Sequence, residues 1–254
     1  MPDVHPASLQ SLCLELLAGE QVLHTATGFV VDAGSHPFLV TSWHVVAGRD
    51  PATARLVGPT PPDAVRIHHH AQGGTGTAPV TEPLLDTEGD PLWATHPTYG
   101  PRVDLVALPL TQLDGVALHS RRLLDLGAAE IEVPITADVS VVGFPFGPRR
   151  LGERPVWTRG TVATEHGVDY DGRPCFLVDA RTGKGQSGAP VLLTRAQQSA
   201  SNGSGPTVGT QLVGVYSGRV SDELDLGFVW RSSVVTEVLV NAQSQVILRR
   251  FSAS

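Results

Sequence analysis

Ser187 lies in Thr-Gly-Lys-Gly-Gln-Ser-Gly-Ala-Pro-Val-Leu-Leu, residues 182–193, where three glycines surround one small polar side chain and an apolar run follows at once. Glycine permits positive φ and lets other groups approach closely. A serine held at such a turn is open to a ligand, and it is equally at home as an ordinary turn serine. Serine is a weak nucleophile at neutral pH, so chemistry there requires a base to take its proton and a third group to orient that base. Gly185, two residues earlier, allows the backbone N–H groups of Gly185 and Ser187 to face one spot, where a developing oxyanion would be held.

A base and an acid in ordered surroundings are therefore the next requirement. Of ten histidines, most sit in polar, turn-like contexts: His5, His36, His119, His166 and the run His68–His69–His70. His44 differs, because Phe-Leu-Val-Thr-Ser-Trp-His-Val-Val-Ala-Gly places it at the end of an apolar strand beside small residues. Taken alone, it is also what a satisfied core histidine looks like. Asp104 opens the apolar run Asp-Leu-Val-Ala-Leu-Pro-Leu, where a carboxylate is costly unless paired. It has two candidate partners, Arg102 or an imidazole N–H. The three residues follow the order His, Asp, Ser, one of the orders in which such triads occur on unrelated folds.

The elements that must position them read as β. Short alternating or β-rich runs recur along the chain, among them 11–17, 22–32, 36–46, 54–58, 64–69, 90–96, 103–110, 138–144, 156–165, 174–180, 188–193, 211–218 and 226–232. Turn signals separate them, and the 27 glycines and 20 prolines argue for many turns between short strands. Only Ser-Ser-Val-Val-Thr-Glu-Val-Leu-Val-Asn-Ala-Gln, 232–243, reads as a helix, with Ser232 or Ser233 as cap and Val234, Val235, Val238 and Leu239 as its apolar face. The segments 195–210 and 71–79 read as loops.

Composition narrows the partners. The net charge is −7, with no basic run or arginine-rich stripe, which excludes an electrostatic footprint for nucleic acid. No apolar stretch approaches the ~20 residues that cross a bilayer. The N-terminus lacks a basic region before its short apolar run, so a cytoplasmic protein is expected, a secreted mature form being the alternative. Cys13 and Cys175 are expected as buried free thiols. No phosphate-loop or dinucleotide fingerprint occurs, and no cofactor is expected. His68–His69–His70 is expected as a solvated loop rather than a metal site, since neighbouring histidines on an extended chain face opposite ways. The acidic cluster Asp222, Glu223 and Asp225 is likewise expected as a solvated loop. Trp43, Trp93, Trp157 and Trp230 are expected in the core.

Six segments in this order resemble the trypsin/chymotrypsin-like serine peptidases, and most closely the bacterial branch with the HtrA/Deg proteases and glutamyl endopeptidases. They are Thr27–His44 with the following valines, residues 93–108 around Asp104, residues 138–147 with Gly-Phe-Pro-Phe-Gly, residues 175–193 around Ser187, Leu-Val-Gly-Val-Tyr-Ser-Gly at 212–218, and Leu-Gly-Phe-Val-Trp at 226–230. The resemblance spans roughly residues 10–240. It implies an all-β fold of two six-stranded antiparallel Greek-key barrels with a short C-terminal helix. The division would be 1–120, carrying His44 and Asp104, and 121–254, carrying Ser187. It implies peptide-bond hydrolysis through an acyl-enzyme, with Gly185 and Ser187 as oxyanion donors and a protein or peptide as substrate. Arg181, six residues before the serine, would lie at the base of the specificity pocket, with Tyr216, Ser217 and Gly218 as its wall. Arg181, Lys184 and Arg219 would favour an acidic side chain before the cut, unless Arg181 pairs with an acid such as Asp179 or faces solvent. Gln186 stands where digestive members carry aspartate, so activation by a new N-terminal amine is not expected. Ala189 stands where glycine is common. Two other readings stay open. One is a silent or autoinhibited module awaiting an activating protein partner, and the other is a different acyl transfer on the same triad.

Overall fold

The computed structural model describes residues 4–74, 76–126, 133–147, 154–197, 207–221 and 223–252. The N-terminal half builds one sheet from β1 (Ser11–Ala18), β2 (Gln21–Asp32), β3 (Pro37–Thr41), β4 (Ala64–Ala71), β5 (Thr77–Pro83) and β6 (Val106–Pro109). Their order is β5-β4-β1-β2-β3-β6, with β7 (Val116–Ala117) on β4 and β8 (Arg121–Arg122) parallel to β2. The second half is a closed antiparallel barrel, β10 (Val156–Val162), β11 (Cys175–Asp179), β14 (Leu226–Arg231), β13 (Thr207–Arg219), β12 (Pro190–Gln197) and β9 (Asp138–Gly143). The fold is all-β as expected: the second sheet closes, and the first remains a half-barrel whose ends β5 and β6 do not pair.

Burial follows the two-residue period of a strand. Along β2, Ala26 and Val30 enter the interior of the first sheet, while Phe29 and Val31 join a cluster between the two halves. In β6, Val106 and Leu108 face inward and Ala107 joins the intervening cluster. In β12, Val191 and Leu193 fill the barrel and Leu192 faces the other half. Strands buried on both faces read as unbroken apolar runs, which is why these segments stood out. The central cluster also takes Trp230 and the face Val234, Val235, Val238 and Leu239 of the C-terminal helix α4 (Ser232–Ser252). That face was legible in the sequence, and the helix continues past 243. It clamps the first half through Gln243 to the Ala33 carbonyl, Asn241 to the Thr95 carbonyl and Glu237 to the buried His96.

Several local expectations are corrected. Residues 54–58 form no strand: Leu56 makes one isolated bridge to Arg49, and Val57 is 75% exposed. Pro59, Pro61 and Pro62 follow directly and remove ladder donors. Residues 90–96 contribute only isolated bridges, Leu85–Pro91, Ala94–Ala107 and His96–Gly100. His68, His69 and His70 are not a solvated loop but part of β4, with His69 buried among its neighbours. Burial and the flanking His70 and His68 push the His69 pKa down to about 4. Cys13 and Cys175 are buried free thiols, as expected, and burial pushes Cys13 up to about 12. The loop expected at 195–210 is narrower, because β12 runs to Gln197 and β13 starts at Thr207. Residues 198–206 lie outside the described residues, as does Asp222 of the acidic cluster.

Candidate active site

His44 sits in the short helix α2 (Trp43–Ala47), which follows β3 directly. Gly48 ends that helix at φ +61°, returning its N–H to the His44 carbonyl. A Cβ there would come within 2.7 Å of Pro62, so both conformation and space require glycine. The turn fixes the backbone of His44, and its N–H donates to Asp104 Oδ1 at 2.7 Å. Its ring Nδ1 lies 2.6 Å from Asp104 Oδ2. Asp104 is 2% exposed and takes a third bond, from Ser217 Oγ at 2.5 Å. The buried carboxylate is thus supported by three donors, as burial of a charge demands. Arg102, the other candidate partner, lies instead over the Tyr99 ring at 5.8 Å.

Burial opposes protonation of His44, but the charge and hydrogen bond of Asp104, aided by Asp50, outweigh it and hold the imidazole pKa above 6.5. With Nδ1 directed at Asp104, Nε2 is the nitrogen left for chemistry.

Ser187 lines the same cleft, about 500 Å³ in volume, as His44, Asp104, Ser217 and Gly218. Its hydroxyl donates to the Ser217 carbonyl at 3.1 Å and, among the described residues, makes no hydrogen bond to His44. Two glycines are indispensable to its loop. At Gly185 (φ +101°) a Cβ would meet the Phe144 carbonyl oxygen at 2.4 Å, and at Gly188 (φ +85°) it would meet the Thr27 oxygen at 2.1 Å. The N–H groups of Gly185 and Ser187 carry no hydrogen bond among the described residues, whereas those of Gln186, Gly188 and Ala189 are all engaged. The Gln186 amide accepts from the Gly183 N–H at 2.8 Å and donates to Thr158 Oγ1 at 2.9 Å. This neutral side chain is satisfied at both ends within the barrel. The methyl of Ala189 is accommodated because Gly143 opposite has no side chain; a Cβ there would come within 3.0 Å.

The expected pocket residues separate. Gly218 lines the cleft. Arg181 does not: Ala180 and Thr182 on either side are buried, and Arg181 between them turns to solvent. Tyr216 is not a wall residue either, since it points into the barrel, packs over Gly227 and shares a 2.5 Å hydrogen bond with Thr182 Oγ1. Ser217 lines the cleft, but its hydroxyl serves Asp104. The register between β13 and β14 skips this residue, and the bulge re-aims its side chain. Sequence reasoning missed three arginines that line the cleft beside Arg219, namely Arg49, Arg102 and Arg173. They come from three separate loops, so no local pattern announces them.

A family model for the trypsin-like peptidase domain matches residues 26–198, more than half of the chain. The chain belongs to the trypsin-like peptidase family. As a member it is a serine protease of the hydrolase class. Among solved structures, a serine endoprotease from Yersinia pestis superposes with a TM-score of 0.56 at 13% identity, over 95% of this chain and 67% of that one. The active form of the Rv3671c protease from M. tuberculosis gives 0.51 at 23% identity, over 92% and 81%. Its inactive form gives 0.50 at 20%, over 93% and 90%. At these identities the likeness is one of fold. A search of curated protein sequences returned no significant match. No helix among the described residues is long and apolar enough to cross a membrane.

Proposed function

We propose that this trypsin-like peptidase is a serine endopeptidase in which Ser187 is the nucleophile, His44 the general base and Asp104 the group that orients it. The observation that carries the reading is the buried Asp104 carboxylate, bonded to both the backbone N–H and Nδ1 of His44 in the cleft that Ser187 lines. Rotation about Ser187 χ1 would move its hydroxyl from the Ser217 carbonyl toward Nε2. Oγ then attacks the scissile carbonyl as its proton passes to Nε2. The tetrahedral oxyanion is held by the otherwise unbonded N–H groups of Gly185 and Ser187. Collapse breaks the C–N bond, Nε2–H protonates the leaving amine, and the acyl group stays on Oγ. Water repeats the sequence and frees Ser187. Asp104 stays ionised throughout and stabilises the imidazolium.

The N-terminal sheet would supply the base and its carboxylate, and the barrel the nucleophile, with the crossing between them after β8. Two buried thiols left unpaired favour a reducing, cytoplasmic compartment. The substrate would be a protein or peptide lying along Ser217–Arg219 as an added strand. The four cleft arginines favour acidic side chains on it, a different set of charges from the Arg181 and Lys184 read in the sequence.

A second reading, a gated module awaiting an activating partner, is favoured by one observation: Ser187 Oγ rests on the Ser217 carbonyl rather than on His44. Labelling with a fluorescent fluorophosphonate separates the two. The endopeptidase reading expects labelling of the isolated wild type and loss in both Ser187→Ala and His44→Ala. A folded wild type that stays unlabelled is the outcome for the gated module.

A further inference from the structure

Thr27 is fully buried in β2, on the opposite half of the molecule from Ser187, yet it is bonded to the nucleophile loop at two points. Its N–H donates to the Ser187 carbonyl at 2.9 Å, and its hydroxyl donates to the Gly185 carbonyl at 2.7 Å. The same hydroxyl accepts the Phe144 N–H at 3.0 Å, and the Thr27 carbonyl accepts the Thr41 hydroxyl at 2.8 Å. Thr41 ends β3, the strand that leads into the helix of His44. A continuous run of hydrogen bonds thus joins the strand before His44 to the backbone around Ser187.

The loop needs such a hold. Gly183, Gly185 and Gly188 give it wide backbone freedom, and Gly185 and Gly188 adopt positive φ. The peptide between Gln186 and Ser187 is fixed, because the Gln186 carbonyl accepts from Ala189. The peptide between Lys184 and Gly185 is not: neither its carbonyl nor its N–H is bonded among the described residues. That N–H is one of the two proposed oxyanion donors. The next carbonyl along, that of Gly185, is the one Thr27 Oγ1 grips, so Thr27 fixes one hinge of the peptide that must face the oxyanion.

We propose that Thr27 is a positioning residue that locks the Gly183–Ser187 loop to the histidine side of the cleft and holds the Gly185 N–H ready before substrate arrives. This rests on the reading of Ser187 as nucleophile. The loop is then competent through contacts within the chain, without an activator. Thr27→Val keeps the shape and deletes the hydroxyl, leaving the Gly185 carbonyl without its donor. Thr27→Ser keeps the hydroxyl.

The test uses fluorophosphonate labelling resolved into maximal rate and half-saturating concentration. The expected result is a maximal rate about 10²-fold lower in Thr27→Val, as a displaced catalytic group produces, with unchanged half-saturation and recovery in Thr27→Ser. A folded Thr27→Val that labels at the wild-type maximal rate overturns the proposal. Amide hydrogen exchange across residues 183–188 reads the lock without chemistry: exchange accelerates in Thr27→Val and not in Thr27→Ser, and equal exchange in all three proteins also overturns it. Labelling that persists in Ser187→Ala instead sinks the nucleophile assignment and leaves the exchange result to decide the lock. If Thr27→Val does not fold, Thr27→Cys carries the same comparison, since a thiol is a weak donor.

Discussion

At the scale of single residues, the pH dependence follows from His44. In the proposed mechanism its neutral form is the base, and its pKa is held above 6.5 because Asp104 and Asp50 outweigh the effect of burial. The rate constant kcat/KM therefore falls as pH drops through that raised value, and the acid limb of the profile lies above pH 6.5. In Asp104→Asn the principal raising influence is gone, so the limb moves to lower pH while kcat falls about 10⁴-fold. Ser217→Ala acts in the opposite sense. Asp104 loses a donor, its charge is less satisfied, and the limb moves to higher pH with about a tenfold loss of kcat. A pH–rate profile of the two variants checks both signs. His44, Asp104 and Ser187 were singled out in the sequence because each adjoins an apolar strand, and the fold brings all three to one cleft. Ser217 lines the cleft as read in the sequence, but its bond to Asp104 was not legible, because a bulge turns it and period-two reasoning has no signal for a bulge inside an apolar run.

The elements explain why the site tolerates little change around it. Gly188 lies where the loop passes against β2, so Gly188→Ala combines a positive φ with a Cβ placed 2.1 Å from the Thr27 oxygen. That substitution is expected to cost more than about 3 kcal/mol and to lower Tm clearly in a thermal melt. His69 gives β4 a different signature. The unfolded chain takes up its proton near pH 6.5, whereas the folded strand resists it down to about pH 4. Stability therefore falls as pH is lowered through that window, because the unfolded state binds the extra proton. His69→Leu removes this share of the slope, and urea titrations at a series of pH values measure it. The strands of both halves were read from alternation and apolar runs. The failures were 54–58 and 90–96, where composition imitates strands that form only isolated bridges, and the triple histidine, where polarity concealed a buried strand position.

Across the whole molecule, charge is unevenly placed. The chain carries a net −7, yet among the described residues its cleft is lined by Arg49, Arg102, Arg173 and Arg219 against Asp50 and the committed Asp104, with Arg173 paired to Asp171. Screening over about 8 Å at physiological salt leaves these nearby arginines, rather than the distant net charge, to act on a bound peptide. Peptides with Glu or Asp before the cut are therefore expected to show kcat/KM at least about tenfold above matched Lys or Arg peptides, with the ratio shrinking in high salt. A ratio inverted by Arg49→Glu combined with Arg102→Glu assigns the effect to these residues; equal rates for both peptide series remove it. Arg219 was placed near the pocket in the sequence, but Arg49, Arg102 and Arg173 were not legible, because they join it only once both sheets are formed. The central claim is that one serine in this fold forms a covalent intermediate. Its most direct test is tandem mass spectrometry of the isolated protein after reaction with a fluorophosphonate. A single adduct mapped to Ser187, absent after prior protonation of His44 at low pH, is the predicted result, and an adduct on another residue, or none on the folded protein at neutral pH, would contradict the account.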